Sequence, residues 1–145
     1  MMVERTTALQ QALGLREAIT RLNRRLRQAR PVGDLTMAQL SALTSLELAG
    51  ALSPRELADV ERVQPPTMTK IIAKLEERGM VRRDPHPTDG RQVILRTTEP
   101  GRLAYEQVQR AHNEWLADHL ADLSAEDLET LHRAAEIMKK VARAA

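Results

Sequence analysis

The 145-residue chain has no cysteine and no phenylalanine, with one tryptophan and one tyrosine. Without cysteine there is no disulfide, no thiolate zinc site and no cysteine-based oxidation sensor. With aromatics at 1%, the stacking platforms used by binders of single-stranded nucleic acid are missing. No apolar run approaches the length needed to cross a bilayer, and the N-terminus carries no signal-peptide hydrophobic block, so the cytoplasm is the expected location. G-x-S-x-G, P-loop and H-E-x-x-H stretches are absent, and nothing pairs a nucleophile with a base. An enzyme reading therefore has little to rest on, and no cofactor is expected.

What is present describes a globular chain, 42% hydrophobic and 29% charged, long enough to bury a real core as one domain over 1–145. The net charge of +2 is modest but unevenly spread. Residues 1–34 hold seven arginines against Glu4, Glu17 and Asp34, a surplus of four. Residues 35–61 have only Arg55 against Glu47, Glu56, Asp59 and Glu61. Residues 62–96 return to a surplus of four, with eight cations against Glu76, Glu77, Asp84 and Asp89. The remainder is acidic by three. Segregated positive charge is the footprint of a duplex binder, although solvated faces also produce it.

Residues 7–30 read as a long helix. Ala12, Leu15, Ile19, Leu22, Leu26 and Ala29 recur at alternating steps of three and four, the period of helices that pair lengthwise. A subunit interface is the favoured use of this seam, ahead of an intramolecular core contact. Pro31 and Gly33 end the helix. Thr36 with Gln39 forms a capping box opening a helix to about Leu48, which Gly50 breaks. Ser53-Pro54-Arg55-Glu56 is a better box, with proline at the first helical position. It opens a short helix buried through Leu57, Ala58 and Val60, with a break near Gln64.

The stretch from Gln64 to Arg96 organises the rest. Met68, Ile71, Ile72 and Leu75 fall on one helix face, and Thr67, Lys70, Ala73 and Lys74 on the other. Pro65 and Pro66 occupy the first turn, where a missing N–H costs nothing. Gly79 is the expected stop. Met80 to Asp84 then reads as a strand, Pro85 to Gly90 as a turn and Gln92 to Thr97 as the returning strand. Two short helices joined by a tight turn, the second cationic outside, make a helix-turn-helix, and the hairpin makes it winged. The expected fold is mainly α with a small β-wing.

Thr98 caps the next helix, to about Asp122, whose apolar residues fit no single stripe and so need cover on more than one side. Ser124 with Asp127 caps the last helix, with Leu128, Leu131, Ala135, Met138 and Ala142 as its buried stripe.

In this order of elements the chain resembles the MarR family of bacterial transcriptional regulators. The matching residues run from Leu52 to Ala58, then Thr67-Met68-Thr69-Lys70, the Leu75-Glu76-Glu77-Arg78-Gly79-Met80-Val81 stretch, Asp89-Gly90-Arg91 and Thr97 to Arg102. The resemblance implies a triangular homodimer, with residues 7–34 and 98–145 as dimerisation helices and 35–97 as a winged helix-turn-helix lobe. It also implies a pseudo-palindromic double-stranded DNA operator, half-sites about 34–36 Å apart, and repression released by a small aromatic or phenolic anion such as a salicylate-like compound.

On that basis Pro66, Thr67, Thr69, Lys70 and Lys74 are the expected DNA contacts of the recognition helix. Thr67 suits a base edge or thymine methyl, and the two lysines suit phosphate. Arg91 is expected in the minor groove, its guanidinium held by a bidentate pair with Asp89. Arg82, with Arg83 and Arg96, supports it at phosphate. Arg16, Arg21 and His112 are candidates for an effector carboxylate, although surface charges look the same. His112 and His119, seven apart, make a zinc site imaginable, but no metal is expected. Three other readings stay open: a winged-helix protein-interaction module, a metal-responsive regulator, and a regulator without a ligand.

Overall fold

Two helices of the central lobe, those that begin after Thr36 and Ser53, open on bonds that their own sequence supplies. The computed structural model describes residues 1–29 and 35–144. Its elements are α1 (Met2–Ala29), α2 (Met37–Ala49), α3 (Pro54–Glu61), α4 (Pro65–Glu77), β1 (Val81–Pro85), β2 (Val93–Thr97), α5 (Glu99–Leu120) and α6 (Ala125–Arg143). At the start of α2 the Thr36 hydroxyl accepts from the Gln39 N–H at 3.1 Å, and the Gln39 side chain accepts in return from the Thr36 N–H at 3.2 Å. Ser53 and Glu56 repeat this at α3, at 3.1 and 2.9 Å. Each box satisfies two amides that the first helical turn leaves without partners. Gly50 ends α2 at φ +83°, and Gly79 follows α4 at φ +70°, conformations that a side chain would strain.

The core lies where α2, α3, α4 and β2 meet. Leu43, Leu46, Leu57, Met68, Ile72, Leu75 and Leu95 are all fully buried there. Ile71 packs against them half-covered. β1 and β2 pair antiparallel, with Val81 opposite Thr97 and Asp84 opposite Ile94. Leu52, before α3, adds a bridge to Leu95, donating at 3.3 Å and accepting at 2.7 Å. This links the helix pair to the wing.

Several boundaries and burials differ from the sequence expectation. The long first helix starts at Met2 rather than at residue 7. The hydroxyls of Thr6 and Thr7 donate to the carbonyls of Met2 and Val3 at 3.0 Å, a back-bond that keeps threonine inside a helix instead of at its cap. The stop assigned to Pro31 and Gly33, and Arg30, lie outside the described residues. Val60 is 56% exposed, because it falls off the Leu57–Ala58 face of α3. β1 is shifted by one residue, β2 starts one residue later and ends at Thr97 as expected, and α5 ends at Leu120.

The chain divides into two compact units, α1 with the residues from Ala111 onward, and the stretch between α1 and Arg110. In the first, α6 carries no buried residue. The stripe expected to be buried is open, with Leu131 at 46% exposure. Nor is any residue of α1 buried, its Leu15–Ile19–Leu22 seam included. Spacing identifies an apolar face, but burial also needs a covering surface, which the described residues do not provide.

Candidate nucleic-acid interface

The tip of α4 is made by Pro65 and Pro66, behind an N-cap Gln64 whose side chain forms no capping bond. Neither proline has an N–H, so this helix end presents carbon where most present donors. Pro66, Thr67, Lys70 and Lys74 are exposed, opposite the buried Met68, Ile72 and Leu75. Thr69 is exposed too, but its hydroxyl donates to the Pro65 carbonyl at 2.9 Å, which leaves its lone pairs as the outward function. With Pro54, Arg55, Pro65 and Met68 it lines a shallow concavity of about 480 Å³ at the starts of α3 and α4. Arg55 was not anticipated at this surface, because in the sequence it reads as the interior of a capping box. Lys74 is paired with Glu77 at 3.3 Å.

The hairpin places its cations beside acids. Asp84 takes Arg82 at 3.0 Å and Arg96 at 3.4 Å, and Glu76 of α4 takes Arg83 at 2.9 Å. Exposed pairs of this kind are worth about 0–1 kcal/mol, so exchanging the carboxylate for a phosphate costs little. Arg91 stands apart, its side chain 95% exposed at the wing tip. The expected bidentate pair with Asp89 is not formed. Asp89 Oδ1 accepts from the Arg91 backbone N–H at 3.1 Å and lies 3.6 Å from the guanidinium Nε. A carboxylate two residues before an amide closes a tight local turn, and that bond aims it at the backbone.

Electrostatics at the base of this surface are local. Backbone and side-chain hydrogen bonds from Ser53, in that order, hold the Glu56 carboxyl below the usual carboxylate range, with a smaller pull from His86.

The effector candidates fall elsewhere. Arg16 and Arg21 line an open groove of about 830 Å³ along α1, with Glu17, Arg24 and Arg25 among its other walls. Arg21 is bound to Glu17 at 2.6 Å. Half-buried His112 on α5 does not line that groove. Among the described residues no group of three or more His, Asp or Glu is arranged to hold a metal ion.

A two-helix motif whose second helix shows an uncovered polar face, followed by a hairpin with an exposed arginine at its tip, is a winged helix-turn-helix. Residues 35–93 match the MarR family. An HTH-type transcriptional regulator of Mycobacterium tuberculosis is 46% identical over 121 residues, covering 83% of this chain and 85% of that protein. The HTH-type transcriptional repressor MdtR of Bacillus subtilis is 32% identical over 111 residues, covering 77% and 70%. The solved structure of a MarR family protein from Bacillus stearothermophilus superposes with a TM-score of 0.83 at 27% identity, covering 97% of this chain and 98% of that one. The chain belongs to the MarR family of winged helix-turn-helix, DNA-binding transcriptional regulators.

Proposed function

We propose that this regulator is a homodimeric repressor that reads a pseudo-palindromic duplex, with α4 in the major groove and the wing in the minor groove. The observation that carries the reading is the pairing of surfaces in the winged unit. Pro66, Thr67, Lys70 and Lys74 are uncovered along α4, and Arg91 extends from the hairpin that follows it. Proline carbons and the Thr67 methyl suit thymine methyls, the Thr67 and Thr69 oxygens suit donors, and the lysines with Arg82 suit phosphate. Arg91 suits a narrow A·T minor groove. Asp89 acts by shaping the turn.

The open apolar faces of α1 and α6 support a dimer, because a stripe of this length is seldom left to water. Residues 7–34 and 98–145 would supply that lobe, and 35–97 the reading lobe. A repressor name on the relative MdtR supports the direction of regulation. We further propose release by a small aromatic carboxylate or phenolic anion, with Arg16, Arg21 and His112 as the residues to test.

Selection of bound duplexes from a random pool at near-physiological salt, with Arg91→Ala in parallel, tests the reading. The expected result is an enriched pseudo-palindrome that the folded variant binds about 10- to 100-fold more weakly. No enrichment by a folded dimer would overturn it in favour of a protein-interaction module. Salicylate titrated into the recovered complex then tests release, and undiminished binding at saturation would leave a ligand-independent regulator.

A further inference from the structure

The wing turn is organised by a side chain that the DNA-binding reading leaves unused. His86 directly follows β1, and its Nδ1 lies 3.2 Å from the backbone N–H of Thr88 and 3.2 Å from that of Asp89. The Thr88 hydroxyl is also 3.2 Å away. An amide can only donate, so Nδ1 must present its lone pair and the ring proton must sit on Nε2. Accepting from the amides two and three residues ahead is what an aspartate or asparagine oxygen does in a tight turn. Here a ring nitrogen does it.

The bonds continue outward. Asp89, whose amide is held by the ring, accepts from the Arg91 N–H at 3.1 Å. The His86 N–H donates to the Gln92 carbonyl, and the Gln92 N–H to the Asp89 carbonyl, both at 3.0 Å. His86 therefore sets Asp89, and Asp89 sets the backbone of Arg91.

We propose that His86 is the positioning residue of the wing, a neutral imidazole whose Nδ1 fixes the turn that presents Arg91 to DNA. The inference rests on the minor-groove reading of Arg91. An Nδ1–H tautomer would place a donor against two donors, which the turn cannot satisfy.

Nitrogen–proton correlation NMR and amide exchange on the free protein at neutral pH provide the first test. The Nε2–H tautomer with protected Thr88 and Asp89 amides is expected, and an Nδ1–H tautomer or unprotected amides would overturn the inference whatever DNA does. The second test is binding to the selected duplex. His86→Ala should lose the amide protection and bind about tenfold more weakly. His86→Asn, whose Oδ1 stands where Nδ1 does, should restore both. Full binding by His86→Ala when Arg91→Ala fails would overturn the positioning role. Full binding by Arg91→Ala would instead remove the wing reading beneath it, with the tautomer result intact.

Discussion

The Thr98 hydroxyl donates to the carbonyl of Gly79, tying the residue before α5 to the turn that ends α4. The same oxygen accepts from the Gly101 N–H at 3.2 Å, and the Thr98 N–H donates to the Met80 carbonyl at 3.0 Å. Gly101 is buried, and a Cβ there would overlap the Met80 carbonyl oxygen and crowd Thr97 Cγ2.

This contact makes Gly101 sterically obligatory. The Gly101→Ala protein is expected to lose about 1–3 kcal/mol, the usual cost of overpacking, as measured by urea unfolding. The blocking atom is backbone, so side-chain repacking cannot relieve it. Unchanged stability would mean that α5 can lift from Met80 freely.

A second expectation concerns phosphate. Each lysine that neutralises a phosphate releases about 0.9 of a counterion on B-DNA. Lys70→Ala and Lys74→Ala should each reduce the dependence of log affinity on log salt by about one per engaged subunit, with little change in sequence preference. Lys74 must first leave Glu77, so Glu77→Gln should tighten binding. A slope unchanged by either lysine substitution removes that lysine from the contacts.

A third expectation concerns the uncovered faces of α1 and α6. Ile19→Arg and Leu131→Arg place charge in the middle of these stripes without touching a buried residue. Both proteins should keep their helicity, elute as monomers and lose specific duplex binding. A Leu131→Arg protein that remained a dimer by light scattering would move the interface away from α6.

The cap of α3 gives a prediction with a defined sign. Ser53→Ala removes the N-cap acceptor and should cost about 1 kcal/mol near neutral pH. The folded Glu56 carboxyl is held below its ordinary range chiefly by the Ser53 backbone. Its contribution is therefore present above the unfolded carboxylate pKa and is lost as pH falls through the lower, folded one. Ser53→Ala keeps the backbone N–H that holds the carboxylate, so its gap from wild type should largely persist. The gap between wild type and Glu56→Gln, which cannot ionise, should instead close as the solution is acidified through that interval. A wild-type to Glu56→Gln gap that did not change with pH would mean that the Glu56 charge takes no part in the cap.

How much of this could be read from the residues depends on how local each feature is. Thr36 with Gln39, Ser53 with Glu56, and Gly79 act within four positions of themselves, so helix starts and stops were legible. The Met68–Ile72–Leu75 face was legible because its period needs no partner to be seen. Burial of α6 was not, since a stripe names a face without naming its cover. Asp89 and Arg91 were marked by the resemblance to the family, but a shared motif does not say whether a carboxylate will choose the guanidinium or the amide of the same residue. His86 gave weaker signal still. Only its place two residues before Thr88, where an aspartate or asparagine would suggest a turn, hinted at its bonds.

The single tryptophan and single tyrosine fall on different sides of the division between the two units, although both belong to α5. Tyr105 packs partly against the winged core, while Trp115 stacks on His119 with ring centroids 4.0 Å apart and lies 5.8 Å from the Arg25 guanidinium. The unmodified protein thus carries one optical label per unit. Indole emission reports the surroundings of Trp115, and phenol difference absorbance, after the indole contribution is subtracted, those of Tyr105. Melting curves from the two chromophores that coincide would identify one cooperative structure. Curves that separate would identify which unit gives way first, with no label attached.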